Sequence, residues 1–364
     1  MITRRRVFLG LGASLLAATA CSRIKPLTSH ALEEERRTAG SPALAAAAVE
    51  KAHVARNWVA GERLLGSGVA VTTRDAWHLG SITKSVTATL VARLVESGAV
   101  RWDDTAGELL KDVAPDMQAA YRSASFRHLL SHRAGLPKDI PMQLFLNYSQ
   151  DATNVRDERR SYAREALRMT PVGAQEATFL YSNNGYLVAG AMLEARLDAT
   201  WEELVRTHVF EPLKLTSAGV GPPGEQGKLT QPVGHFFHGG RLVPIRVGEK
   251  FADNPYVLGP VGRVHMSLDD VLSYLAAHRD TLPFLKPDTW RTLHTPPFGG
   301  DYAMGWMVHP SGDLWHDGSN RLWYAHALFN KGRGVAAVAA TNEGRPQRSA
   351  TLEKTLLHAL AAIV

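Results

Sequence analysis

Cysteine is almost absent from this 364-residue chain, which contains only Cys21. A single cysteine excludes an internal disulfide, so packing of the core must stabilise the folded part. The uncharged apolar segment at residues 7–20 has 14 residues, which is too few to span a bilayer. Beyond residues 4–6, basic residues are scattered rather than gathered into a stripe. We therefore expect no nucleic-acid partner.

The first 21 residues have the pattern of an export signal. Three arginines at residues 4–6 and the Phe-Leu pair that follows resemble a twin-arginine signal, and Ala-Thr-Ala-Cys21 resembles a lipoprotein cleavage box. We expect a periplasmic or cell-envelope protein in which Cys21 is a candidate lipid anchor to a membrane. Cleavage after Ala20 without lipidation is the alternative. Removing residues 1–20, with three arginines and no acidic residue, reduces the formal net charge from +6 to about +3.

The clearest chemical signal is Ser81 followed three residues later by Lys84. A helix that begins near Ser81 places Lys84 one turn on and on the same face, where its amine can deprotonate the hydroxyl. The free amides at a helix start also favour the negative charge that develops during attack. The spacing alone is weak, since Ser22 and Lys25 repeat it in a polar segment, and a helix cap is the competing interpretation of Ser81. The residues that follow Lys84 predict a buried helical stripe: Val86, Leu90, Val91, Leu94 and Val95.

The chain divides into three parts by composition. Residues 1–20 are the signal, residues 21–40 are a polar tether with the composition of a short helix, and residues 41–364 are one folded domain with a helical part at about 81–215. A polar stretch from residue 137 to about 160 is a candidate flap over the site.

Apolar patterns at the two ends of the domain predict strands. The early runs are at residues 43–49, 54–59 and 68–72, although alanines make the first run equally compatible with a helix. The late pattern predicts a meander and a closing helix, with strands at residues 302–309, 314–315, 322–329 and 334–341 and the helix at about 348–363. This arrangement predicts an α/β (α+β) fold, in which an antiparallel sheet built from both termini carries flanking helices and a mostly helical insertion.

A second motif is Tyr181-Ser-Asn183. The Tyr181 phenol can pass a proton between the serine and a leaving group. The Asn183 amide can hold the lysine amine and a substrate carbonyl together. A surface turn at Asn183-Asn-Gly185 is the alternative interpretation.

A third motif, His316-Asp317-Gly318-Ser319, follows Trp315 at a predicted strand start. Gly318 allows a substrate to approach the strand backbone, and the Ser319 N–H can join that of Ser81 in an oxyanion hole. His316 adds a titratable group.

Taken in order, these three motifs resemble those of the serine β-lactamase and penicillin-binding-protein-like hydrolases. The resemblance covers about residues 40–364 and is greatest to the branch that contains class C β-lactamases, D-aminopeptidases and esterases. It implies a β-lactamase/transpeptidase-like fold and an acyl-enzyme on Ser81, with Lys84 as the activating base. It further implies that Tyr181 relays protons, that Asn183 positions the substrate and that the Ser81 and Ser319 amides bind the oxyanion. Which of Lys84 and Tyr181 is the general base stays open.

The resemblance implies no cofactor and no metal. His128 and His132 lie four residues apart, as zinc ligands on a helix do, but the glutamate of the zincin pattern is missing. The expected partner is therefore a small-molecule ester, amide or peptide substrate.

The third motif departs from the classical lysine-threonine-glycine sequence of the β-lactamases. Asp317 lies beside the substrate-binding strand and should repel an anionic substrate by about 1 kcal/mol, unless Arg321 or His326 compensates. Leu322 also stands where the family usually has glycine. We therefore expect an esterase or amidase first, a D-amino-acid peptidase second and a β-lactamase third. A non-catalytic relative that binds cell-wall material is the alternative from another functional class.

Overall fold

A computed structural model describes residues 24–51, 55–148 and 152–363. The signal at residues 1–20 and Cys21 therefore lie outside the described residues. The largest sheet has six antiparallel strands: β1 (Ala43–Glu50), β2 (Arg56–Gly61), β8 (Met307–Val308), β9 (Asp313–Ser319), β10 (Tyr324–Asn330) and β11 (Val335–Thr341). Their order is β2-β1-β11-β10-β9-β8. The first and last thirds of the chain thus meet at the centre of one sheet, as the sequence predicts.

The remaining strands form two small sheets. One contains β3 (Ala76–His78), β4 (Gly219–Val220) and β7 (Val264–Ser267), and the other is a hairpin of β5 (Gly234–His238) and β6 (Arg241–Ile245). The run at residues 68–72 was expected to be a strand, but it makes only an isolated bridge from Ala70 to Glu62. Gly66 and Gly68 both have positive φ, which turns the chain before a ladder can extend.

Helices cover the sheet and fill the middle of the chain. They are α1 (Ser29–Ala39), α2 (Thr83–Glu96), α3 (Ala106–Leu109), α4 (Phe126–Leu130), α5 (Met142–Phe145), α6 (Val155–Arg168), α7 (Asn183–Leu197), α8 (Trp201–Val205), α9 (Gly259–Gly262), α10 (Leu268–Asp280), α11 (Pro287–Leu293) and α12 (Arg348–Ala361). A 3₁₀ turn at Gly80–Ile82 leads directly into α2. None of the helices in the described ranges combines the length and apolarity needed to cross a membrane.

The alanine-rich run at β1 is a strand because it lies between two neighbours. Its residues pair with β2 on one side and with β11 on the other, and Ala43–Ala48 are fully buried. Helical propensity is overridden here by burial on both faces of the sheet, which suits small side chains. β1 and β11 form the middle of the sheet, and α10 and α12 pack on them.

The segment assigned to a tether includes part of the fold. Helix α1 begins at a side-chain cap from Thr28, and Leu27 and Leu32 are buried against α12 and the sheet. Glu35 accepts hydrogen bonds from Thr355 and His358 of α12. The folded part therefore starts before residue 41, because these contacts bury apolar side chains that a solvated tether would expose.

Candidate active site

Ser81 lies in the 3₁₀ turn immediately before α2, and the first turn of that helix carries Lys84. The two side chains share a face, so Lys84 Nζ is 3.1 Å from Ser81 Oγ. The same amine donates to the carbonyl oxygen of Val261 at 3.0 Å. Lys84 is fully buried, and this burial lowers the pKa of its amine from 10.5 to about 7. A substantial fraction of the amine is thus neutral at neutral pH and has a lone pair to accept a proton.

Two glycines allow strand β9 to lie directly against the serine turn. A Cβ on Gly318 would be 1.8 Å from the carbonyl oxygen of Leu79 and 2.8 Å from the amide nitrogen of Ser81. A Cβ on Gly80 would be 2.3 Å from the amide nitrogen of Ser319. The amides of Ser81 and Ser319 therefore lie close together, where the strand packs against the serine turn. Their proximity is the arrangement that an oxyanion hole requires.

Tyr181 lies against the Lys84 amine. Its ring centroid is 5.0 Å from Lys84 Nζ, and its hydroxyl hydrogen-bonds with Ser81. Burial raises the pKa of the phenol above its ordinary value, so the group is protonated at neutral pH. The ring also packs against His132 at 4.3 Å between centroids. Tyr181 can donate or relay a proton from this position, while a standing phenolate is disfavoured.

His316 is held as a neutral imidazole. It is buried, its Nε2 is 3.1 Å from the Tyr302 hydroxyl, and its Nδ1 is hydrogen-bonded to the Asp317 carbonyl. Burial, together with the nearby Lys84 amine, lowers the pKa of His316 to about 4. The ring consequently carries no positive charge at neutral pH with which to attract a substrate carboxylate.

Asp317 carries the negative charge at the pocket wall. It forms an ion pair with His326, and the hydroxyls of Tyr324 and Ser349 each donate to its Oδ2 at 3.2 Å. Burial opposes ionisation, but the charge and hydrogen bond of His326 hold the pKa of the carboxyl below its ordinary value. His326 is thus the compensating partner considered in the sequence analysis. Asp317 keeps 28% of its side-chain surface exposed, so part of its charge faces the pocket.

Asn183 is the first residue of α7 and lies close to the loop at residues 137–139. Its side-chain amide donates to Asp139 at 2.7 Å, and its backbone N–H donates to the carbonyl of Lys138. Its neighbour Asn184 turns inward and bonds to Pro137 and Tyr162. The amide of Asn183 is therefore engaged with Asp139 here, and its predicted contact with substrate stays a prediction.

A cavity of about 310 Å³ opens over these groups. Its lining includes six of the residues singled out in the sequence, and the remaining wall is largely apolar. The complete lining is Ser81, Tyr181, Met307, Trp315, His316, Asp317, Gly318, Ser319 and Tyr324. A small acyl or aryl group fits a space of this size. The fold thus brings the three motifs together, with Lys84 buried behind the serine and Asn183 outside the lining.

Residues that the sequence analysis did not select surround the site from behind. His78, three positions before Ser81, accepts a hydrogen bond from the Gly80 amide and pairs with Asp253. Asn320, the residue after Ser319, also donates to Asp253. The only sequence signal was a polar residue in the apolar segment before Ser81. Nothing in the sequence marked Asp253, because its partners are distant along the chain.

Comparisons with known proteins agree with this fold. The family model described as "Beta-lactamase" matches residues 29–362. Penicillin-binding protein 4 of Amycolatopsis lactamdurans is 26% identical over 306 residues, which cover 77% of this chain and 75% of that protein. The solved structures of EstCE1, a hydrolase with promiscuous acyltransferase activity, and of a D-stereospecific amidohydrolase from Streptomyces sp. are similar in fold. EstCE1 has a TM-score of 0.74 and 17% identity, and the match covers 92% of this chain and 97% of EstCE1. The amidohydrolase has a TM-score of 0.70 and 20% identity, and the match covers 90% of this chain and 97% of the amidohydrolase.

Proposed function

Because the chain belongs to the beta-lactamase family, we propose that it is a serine hydrolase that works through an acyl-enzyme on Ser81. The observation that carries the proposal is the 3.1 Å contact between the Ser81 hydroxyl and a fully buried lysine amine with a pKa of about 7. A lysine that serves only as a surface cation would stay solvated and charged. An amine that is partly neutral at neutral pH and lies beside a hydroxyl is instead suited to general-base catalysis.

The mechanism follows from the position of each group. Lys84 takes the proton of Ser81 as Oγ bonds to the substrate carbonyl carbon, and the carbonyl oxygen becomes an oxyanion between the Ser81 and Ser319 amides. The carbon–leaving-group bond then breaks, and the proton passes from Lys84 through Tyr181 to the leaving oxygen or nitrogen. Water repeats the sequence on the acyl-enzyme and regenerates Ser81. Lys84 rather than Tyr181 is the base in this scheme, because burial disfavours the phenolate.

Substrate class follows from the charges at the pocket wall. A neutral His316 provides no cation for a substrate carboxylate, and Asp317 presents negative charge beside the reacting carbon. Met307, Trp315 and Tyr324 add apolar contact. We therefore propose a neutral ester or amide as the substrate, with efficient β-lactam hydrolysis disfavoured. Since Asp317 also attracts cations, an amide or peptide of a D-amino acid with a free ammonium is the second candidate, in line with the amidohydrolase neighbour from Streptomyces.

Labelling of the serine tests the proposal. The domain is incubated with a fluorophosphonate probe and separately with a penicillin probe, and intact mass is measured for the wild type and for Ser81→Ala. We expect one fluorophosphonate adduct on the wild type and none on Ser81→Ala. Ser97→Ala is the matched control, because Ser97 lies just beyond the far end of α2 and its label should be unchanged. If neither probe labels the wild type, the enzyme proposal fails and the non-catalytic alternative replaces it.

Export and lipidation at Cys21 are a separate part of the proposal. The arginines at residues 4–6, the short apolar run and the cleavage-box pattern support it. In a bacterial host, we expect the full-length protein in the membrane fraction and Cys21→Ser in the soluble envelope fraction. Retention of Cys21→Ser in the membrane would contradict lipidation without affecting the assignment of Ser81.

A further inference from the structure

A buried carboxylate lies behind the serine turn and outside the pocket lining. Asp253 precedes α9, and both it and His78 are buried, with side chains 3% and 0% exposed. One of its oxygens is 3.1 Å from His78 Nε2, and Arg263 Nε is 3.3 Å from that same oxygen. The other oxygen accepts from Asn320 Nδ2 at 2.7 Å and from the Asn254 amide at 2.7 Å. Burial opposes ionisation, but the charge of Arg263 and the hydrogen bonds from His78 and Asn320 hold the pKa of Asp253 below its ordinary value.

Two of these contacts lead to the backbone that flanks the oxyanion space. His78 Nδ1 accepts a hydrogen bond from the Gly80 amide at 3.1 Å, so the ring proton is on Nε2 and is donated to Asp253. Gly80 is the residue before Ser81. On the other side, Asn320 follows Ser319 directly. Its Oδ1 accepts hydrogen bonds from the backbone amides of Leu322 and Trp323. One carboxylate is therefore connected to both segments that present the oxyanion amides.

We infer that Asp253, acting through His78 and Asn320, is a positioning residue that fixes the spacing between the Ser81 and Ser319 amides. The inference rests on the proposed function, since it assigns these amides to an oxyanion hole. Asp253 touches no substrate in this role. Its contribution is to hold two backbone segments, which are distant in sequence, in the register that the transition state needs. Packing contributes to the same rigidity, because the His78 ring stacks on Trp323 with centroids 5.3 Å apart.

The test compares Asp253→Asn with Asp313→Asn. Asp313 lies at the start of β9, at the end opposite Ser319, and accepts hydrogen bonds from Asn330 and Arg333. Both variants replace a carboxylate that is anchored by protein donors. We expect Asp253→Asn to reduce the rate of fluorophosphonate labelling at Ser81 and the kcat for p-nitrophenyl acetate by about 10- to 100-fold, with KM changed less than threefold. For Asp313→Asn, the labelling rate and kcat should stay within threefold of the wild type, although its Tm should fall about as much as that of Asp253→Asn.

Substitutions of His78 separate positioning from general stability. Asn at position 78 places an oxygen near the position of Nδ1 and can still accept from Gly80, whereas Ala removes this acceptor. We expect labelling rates in the order wild type, His78→Asn, His78→Ala. The double variant of Asp253→Asn with His78→Ala should be little slower than the slower single variant, because both remove the same chain of contacts. These His78 measurements also apply if Asp253→Asn does not fold.

Three results distinguish the possible failures. If the wild type is labelled at Ser81 and Asp253→Asn reacts as fast as Asp313→Asn, the positioning role is wrong and the proposed function stands. Equal rates for His78→Asn and His78→Ala would overturn the positioning role in the same way. If the wild type is not labelled at all, the proposed function fails and this inference fails with it.

Discussion

Two histidine–aspartate pairs lie close to residues 317–320 and differ in what surrounds them. In the first, His78 and Asp253 are enclosed, and their hydrogen bonds lead to backbone amides and to Asn320. In the second, His326 and Asp317 retain 9% and 28% of their side-chain surface, and Asp317 lines the pocket. The residue types are the same, so environment decides the role. The enclosed pair is suited to holding the backbone, and the open pair is suited to selecting the charge of a substrate.

Gly318→Ala tests the contact between strand β9 and the serine turn, the two backbone segments to which the enclosed pair is connected. The new Cβ would collide with the Leu79 carbonyl and lie 2.8 Å from the Ser81 amide. Separation of the two segments should reduce kcat for p-nitrophenyl acetate by at least about 100-fold, the size of effect seen when one oxyanion donor is removed. Gly332→Ala, which gains only an ordinary contact with Asn330, is the control. Equal activity of the two variants would contradict the oxyanion assignment.

The pH dependence of activity should report Lys84 rather than either aspartate. Both aspartates have a lowered pKa and stay ionised at neutral pH, whereas the Lys84 pKa is about 7. A proton on Lys84 removes the lone pair that accepts the serine proton, so kcat/KM should rise with pH through about 7 and fall roughly tenfold per unit well below it. His326→Gln should keep the same midpoint. If the midpoint disappears in His326→Gln, the observed titration belongs to the open pair and not to Lys84.

Asp317→Asn should change selectivity while leaving the basic reaction intact. The readout is the ratio of kcat/KM for D-alanine p-nitroanilide, which has a free ammonium, to that for its N-acetyl derivative, which is neutral. Loss of the carboxylate should lower this ratio by about five- to tenfold, since an ion pair in a partly exposed pocket contributes on the order of 1 kcal/mol. Asp253→Asn should lower both rates and leave the ratio unchanged. A shift of the ratio in Asp253→Asn would remove the distinction between the pairs.

Tyr324→Phe should produce the smallest effect and in the opposite direction. Its hydroxyl donates to Asp317 at 3.2 Å and so stabilises part of the carboxylate charge. Without this donor, Asp317 should attract an ammonium more strongly, and the same substrate ratio should rise by about twofold. The ratio is measured alongside that of Asp317→Asn. A decrease would indicate that Tyr324 itself contacts the substrate amine.

Much of the fold could be predicted from periodicity. The late meander is confirmed as strands β9 to β11 and the closing helix as α12, but β9 continues to Ser319 where the sequence predicted only residues 314–315. Of the strand predicted at residues 302–309, only Met307–Val308 forms. Helix α1 was assigned to a tether because its surface is highly charged, and only two apolar side chains mark its contact with the core. Burial of so few residues leaves a weak pattern in the sequence.

The site was predictable where chemistry and spacing coincide, and less so elsewhere. Ser81 and Lys84 are neighbours on one turn, so their proximity follows from helix geometry. The proximity of the Ser81 and Ser319 amides depends on two glycines. We expected these amides to share an oxyanion hole because of the resemblance to a known family. The contact between His78 and Asp253 could not be predicted, because 175 positions separate the two residues and neither belongs to a recognisable motif. The contact of His326 with Asp317 was one of two alternatives, Arg321 being the other. The strand register decides which residues face each other across two strands, and the sequence does not fix that register.

The central pairing of β1 with β11 has a consequence for biosynthesis. Leu44 pairs with Thr341, and the Thr341 hydroxyl donates to the carbonyl of Ala43, so the middle of the sheet joins residues from opposite ends of the chain. Contacts of such long sequence separation form late and slow folding. A ribosome-bound chain would already display Ser81 while β9 to β11 are still missing. The site around Ser81 would therefore be complete only after β9 to β11 have been translated and paired with β1.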